Sequence, residues 1–142
     1  METESSENGT NAKGDVRMRV GGSVLSGLAI LFMGMDGVAK LFMPPEVVEG
    51  TVSLGYPAST IVGIGVASLI PTVLYAIPRT ALLGAVLLTG YLGGAVATHV
   101  RVMNPWASHI LFPGYVAAFI WGGLLLREPR LRALFPIRTK MG

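Results

Sequence analysis

The amino-acid sequence predicts an all-α fold, an integral membrane four-helix bundle with both termini cytoplasmic. Three observations lead there. Four nearly charge-free apolar runs, about 20–42, 57–77, 80–100 and 108–126, each match the roughly 20 residues that a helix needs to cross ~30 Å of hydrocarbon. The charges gather between these runs, at Met1 to Arg19, Asp36 to Glu49, Arg79, Arg101 and from Arg127 onward, as membrane-flanking charges do. Nine basic residues, Lys13, Arg17, Arg19, Arg79, Arg127, Arg130, Arg132, Arg138 and Lys140, fall on the side shared by both termini and the Arg79 turn. Only Lys40 and Arg101 fall on the other. By the positive-inside rule the termini are cytoplasmic. The chain thus divides into a disordered polar tail at 1–19, a four-span domain at 20–126 and a basic cytoplasmic tail at 127–142.

Composition excludes several function classes. With no cysteine among 142 residues, thiol nucleophiles, disulfides, cysteine-ligated clusters and C-x-x-C redox chemistry are ruled out. The net charge of +3 comes from membrane-flanking residues and does not indicate nucleic acid. The polar N-terminus lacks the short apolar core and small-residue cleavage site of a signal peptide. The implied location is the cell membrane, crossed several times, with the lipid bilayer as the first partner.

The first span, Val20 to Phe42, carries Asp36 and Lys40 in its last third. They stand at i and i+4 with the acid first, which places them together on one helix face. Two readings remain open: a snorkelling pair that ends the helix, or a functional carboxylate, since an ionisable group within a span is costly. Pro44 and Pro45 then stop the helix, and a short interfacial helix is expected from Pro45 to Leu54. Glu46 and Glu49 read as solvated loop charges, and Tyr56 as an interfacial anchor. Pro71 should kink the second span, with Ser68, Thr72 or a neighbouring helix offsetting the lost bond. The connection at Ile77 to Thr80 is so short that spans two and three must be antiparallel neighbours.

The third span carries the most distinctive pattern. Gly90 and Gly94 form a G-x-x-x-G step with Ala97 on the same face, which predicts close approach of another helix. Beyond Thr98 the chain turns polar and aromatic, with both of its histidines, His99 and His109, and with Arg101, Asn104 and Trp106. The fourth span starts near Ser108, with Pro113 in its first turns. Asp36, Lys40, Glu49, Tyr91, Thr98, His99, Arg101 and His109 are therefore expected to gather at the outer face.

Several segments resemble the DoxX-like family of small four-helix membrane proteins: D-G-V-A-K-L at Asp36 to Leu41, V-V-E-G-T-V-S-L-G-Y-P at Val47 to Pro57 and I-P-R-T at Ile77 to Thr80. L-T-G-Y-L-G-G-A-V-A-T-H-V-R at Leu88 to Arg101 and S-H-I-L-F-P at Ser108 to Pro113 complete the resemblance, which covers Gly21 to Pro136. The family name comes from a membrane subunit associated with quinone-linked sulfur oxidation, so the resemblance implies a possible redox setting. It supplies no catalytic set to carry over.

Two functional readings follow. In the first, the chain is a subunit of, or accessory to, a quinone-linked redox system with a membrane or outer-face redox protein as partner. Tyr91, Thr98 or His99 would bond a quinone head group while Asp36 and His99, the candidate catalytic pair, exchange protons. In the second, it is a non-catalytic assembly or small-solute-binding protein, with Gly90, Gly94 and Ala97 recruiting a partner or a second copy. His99 and His109 show no metal-binding spacing, so no metal site is assigned. Bis-histidine haem would need enclosed ligands on facing helices. A transporter is the weakest reading, because the four spans show no internal repeat.

Overall fold

The computed structural model describes residues 2–135, with side chains from Asn8 onward. The tail beyond, with Arg138 and Lys140, lies outside the described residues. Six α-helices follow in order: α1 (Glu2–Phe42), α2 (Pro45–Ser53), α3 (Ile61–Ala76), α4 (Ala81–Arg101), α5 (Phe112–Arg127) and α6 (Pro129–Leu134). A 3-10 turn at Ala58–Thr60 leads into α3, and a π-helical turn at Trp106–Ile110 leads into α5. Four stretches are long and apolar enough to cross a membrane: Asn8–Phe42, Ala58–Ala76, Ala81–Arg101 and Trp106–Arg127. Four membrane-length apolar helices and a short helix after Pro44 are thus present, the first beginning well before residue 20.

The N-terminus differs from expectation. Residues 2–19, read as a disordered tail, are helical and continuous with the first span. An existing helix extends without a new nucleation step, and no proline interrupts it before Pro44. At 41 residues and 1.5 Å per residue, α1 is about 60 Å long, roughly twice the hydrocarbon thickness.

Helix α1 packs on α3 and α5, α3 on α4, and α4 on α5, so the four spans close into a ring of neighbours. Glycine sets the close crossings. A Cβ on Gly22 would lie 2.8 Å from the Gly123 carbonyl and the Arg127 nitrogen, and one on Gly123 would meet Ser26. Gly37 and Gly65 bring α1 and α3 together in the same way, and Gly84 on α4 lies directly against the backbone of Tyr75. These are the small-residue contacts on which helix association in lipid relies.

Tyr75 ties one end of the bundle. It is fully buried, and its hydroxyl donates to the Ile120 carbonyl at 2.7 Å. That uses its single proton, so the Ser26 hydroxyl, 2.8 Å away, is the donor in their contact. One phenol therefore joins α1, α3 and α5. Arg127 lies over its ring at 5.1 Å, a cation–π contact at the membrane edge. Lipid replaces water around the rest of the bundle, and large apolar side chains such as Leu28, Val66 and Leu83 face outward accordingly.

Candidate functional site

At the opposite end the helices line a partly open cavity of about 430 Å3, within the range of small-molecule sites. Its deep wall is apolar, built from Met33, Leu92 and Val116, which are all buried. Phe32 and Phe112, in edge-to-face contact with ring centroids 5.0 Å apart, bridge α1 and α5 at its side. The polar groups come from three elements: Asp36 and Lys40 on α1, Thr51 and Tyr56 around α2, and Tyr91 and Thr98 on α4.

Those on α1 and α4 reach the cavity by helix periodicity. Met33, Asp36 and Lys40 recur at three and four residues along one face of α1, as Tyr91, Gly94, Ala95 and Thr98 do on α4. Lys40 Nζ is 2.5 Å from Asp36 Oδ1. Both residues line the cavity. Tyr91 lines the same cavity as Asp36.

A strap closes the end of the cavity. It consists of α2 and the turn at Leu54 to Pro57, made possible by Gly55 at φ +86°, a conformation that glycine adopts without strain. Two side chains of α4 hold it. Thr98 donates to the Gly94 carbonyl at 2.9 Å, so in its 2.8 Å contact with Tyr56 the tyrosine hydroxyl is the donor. Arg101 donates to the Leu54 carbonyl at 2.6 Å and lies over Gly55. The strap's buried member, Thr51, donates to the Val47 carbonyl at 2.8 Å.

The structure sorts the residues expected at the outer face into three groups. Asp36, Lys40, Tyr91 and Thr98 meet in the cavity, and Arg101 secures its strap. Glu49 is exposed on α2. His99 and His109 do face each other, ring centroids 5.5 Å apart, but they form a separate pair and line no part of this cavity. Asn104 Nδ2 donates to His99 Nδ1 at 2.8 Å, which leaves the ring proton on Nε2. Ser108 Oγ is 2.7 Å from His109 Nδ1. His99 therefore lies outside the cavity that Asp36 lines. Among the described residues there is no group of three or more His, Cys, Asp or Glu positioned to hold a metal.

The glycine face of α4 also differs from expectation within the chain. A Cβ added at Gly90, Gly93 or Gly94 would meet nothing within 4 Å, and Ala97 is exposed. No described helix of the chain packs there. Gly90 and Gly94 instead form part of the cavity wall.

Sequence reasoning missed Phe32, Thr51 and Phe112 as lining residues and assigned Tyr56 only to the interface. The period-3.6 step from Asp36 back to Phe32 was available as a signal for the first of these. Thr51 and Tyr56 become site residues only through the fold of the strap.

The sequence profile of the DoxX-like family matches residues 24–123, spanning the cavity and its strap. Neither the curated proteins nor the solved structures include a significant match. On the strength of the profile match, the chain belongs to the DoxX-like family, and it is a multi-pass membrane protein.

Proposed function

We propose that the chain is a membrane-embedded binding subunit that receives a small amphipathic molecule of the quinone class in this cavity, at the outer face of the cell membrane, with both termini cytoplasmic. The observation that carries the reading is the juxtaposition of an apolar deep wall with the Asp36–Lys40 pair and Tyr91. An aromatic ring fits against Met33, Phe32 and Phe112, and a ring carbonyl accepts a hydrogen bond from Lys40 or the Tyr91 hydroxyl. Binding and orientation are what these residues supply. Electron transfer then belongs to the ligand and a redox partner protein. The histidine pair sits outside the cavity and is free to serve that partner's docking.

The test is titration of the purified protein with 2-methyl-1,4-naphthoquinone, followed by quenching of Trp106 and Trp121 fluorescence. Saturable quenching that weakens about tenfold in Lys40→Met and in the cavity-filling Ala95→Phe supports the reading. Quenching that is linear in quinone, and equal in all three proteins, reports partition into detergent or lipid and sinks it.

The second reading, a binding protein without any redox role, shares the cavity. It is distinguished by the same titration with a non-reducible ring of like shape, such as a dimethoxynaphthalene. Equal affinity for that ring would favour it, because the hydrogen bonds to the ring carbonyls would then contribute nothing.

A further inference from the structure

The side wall of the cavity is incomplete between α3 and α4. Near the Tyr75 end these helices touch at backbone level, where Gly84 lies against Tyr75 and the Leu74 carbonyl carbon. Two turns further along α4, at Gly90 and Gly94, a Cβ would meet nothing within 4 Å. That face of α4, turned about 80–120° from Gly84 at 100° per residue, is covered by no described helix. The residues bordering the gap are small: Ala67 on α3 and Gly90 and Gly94 on α4 are all exposed, yet all three line the cavity. One wall is therefore open to what surrounds the bundle.

The gap lies at hydrocarbon depth. Gly90 is 11 residues from Arg101, where α4 ends, so it sits about 16 Å below that end at 1.5 Å per residue, near the middle of a ~30 Å core. Leu83 and Val86, on the same face of α4 nearer the Tyr75 end, are exposed apolar residues of the kind that contact acyl chains. Pro71 contributes from the other side. It withholds the N–H that would bond the Ala67 carbonyl, and the compensating Thr72 hydroxyl goes instead to the Ser68 carbonyl at 2.7 Å. Helix α3 is thus loosened at the level of the gap. The water-facing end of the cavity, by contrast, is closed by the strap bonded to Thr98 and Arg101.

We propose that the gap between α3 and α4 is a lateral portal, through which a bilayer-dissolved amphiphile reaches the cavity and its apolar tail remains in lipid once the polar head is bound. The ligand is then a tailed lipid-soluble compound and not a water-borne one. This rests on the binding role assigned to the cavity above. It also accounts for the glycines of α4: Gly90 and Gly94 keep the slot free of side chains.

The experiment is photolabelling of the wild-type protein in liposomes with a 1,4-naphthoquinone bearing a decyl tail and a diazirine midway along it. Labelled peptides are identified by mass spectrometry with and without an excess of the unlabelled compound. Label that is competed away and falls on Ile64 to Ala67 and Gly90 to Gly94 is the expected result. Competed label confined to α1, α5 or the strap overturns the portal while leaving binding in the cavity intact. Protection of the Gly90 to Gly94 peptide, in a protein that cross-links as a dimer through α4, overturns it in favour of a second copy seated in the gap. Absence of any competed label contradicts the binding role itself and the portal with it. As a second reading, Gly90→Leu, which also narrows the cavity wall, should weaken binding of the decyl-tailed compound at least threefold more than that of the tail-less ring. Equal affinity of that variant and the wild type for the tailed compound would count against the portal.

Discussion

Tyr56 donates a 2.8 Å hydrogen bond to Thr98, whose own proton is held by the Gly94 carbonyl. The contact joins the strap to the helix that forms the cavity wall, 42 residues away in sequence. With the Arg101 bond to Leu54, it fixes the strap from two points.

Each bond should be separately measurable. Tyr56→Phe and Thr98→Val are each expected to destabilise the strap by about 1 kcal/mol, and the double variant should show coupling of roughly 0.5–1.5 kcal/mol. Hydrogen exchange at Leu54 to Tyr56 is the readout. Unchanged exchange in Tyr56→Phe would show that the strap is held elsewhere.

The glycines should fall into two classes despite their similar settings in apolar helices. Gly84→Ala forces α4 away from the Tyr75 backbone and is expected to cost about 3 kcal/mol, the upper end for overpacking. Gly94→Ala meets open space, removes unfolded-state freedom and should stabilise by ~0.5 kcal/mol. Thermal unfolding in one detergent compares them directly, and equal shifts for the two would contradict the crossing described here.

How far the sequence revealed this division can be judged from those same residues. Charge placement and run lengths exposed four spans, the interfacial helix and the Asp36–Lys40 face, because these depend only on local periodicity and on the bilayer as solvent. Gly90, Gly94 and Ala97 showed that some side chain-free surface exists. They could not show whether a helix or empty space meets it, since that depends on where α3 and α4 part. The real crossings at Gly22, Gly37, Gly65, Gly84 and Gly123 carried no stronger local signal. For the same reason His99 and Thr98, adjacent in sequence, were grouped together, although a 100° step on α4 sends one to the histidine pair and the other to the cavity.

Tyr75→Phe removes the hydroxyl that joins three helices and leaves the Ser26 hydroxyl and the Ile120 carbonyl without it. In this dry setting the expected loss is about 2 kcal/mol, seen as earlier unfolding in a denaturing-detergent titration. Ser26→Ala, which removes only the donor to Tyr75, should cost less. The reverse order would mean that Ser26 has another buried role.

The proposed orientation can be tested cleanly because the chain contains no cysteine. Single cysteines at Glu49 and at Met103, both exposed, should react with a membrane-impermeant maleimide in intact cells or spheroplasts, and a cysteine at Arg79 only after lysis. Labelling of Arg79→Cys alone from outside would invert the topology.

The most direct test of the central claim, that the Asp36 end of the bundle holds a small amphiphile, is native mass spectrometry of the protein extracted gently from its own membrane. The wild type should carry one bound small molecule in near-stoichiometric amount, lost in Ala95→Phe while that variant unfolds at the wild-type temperature. A wild type with no adduct, or an adduct equally retained when the cavity is filled, would contradict the account.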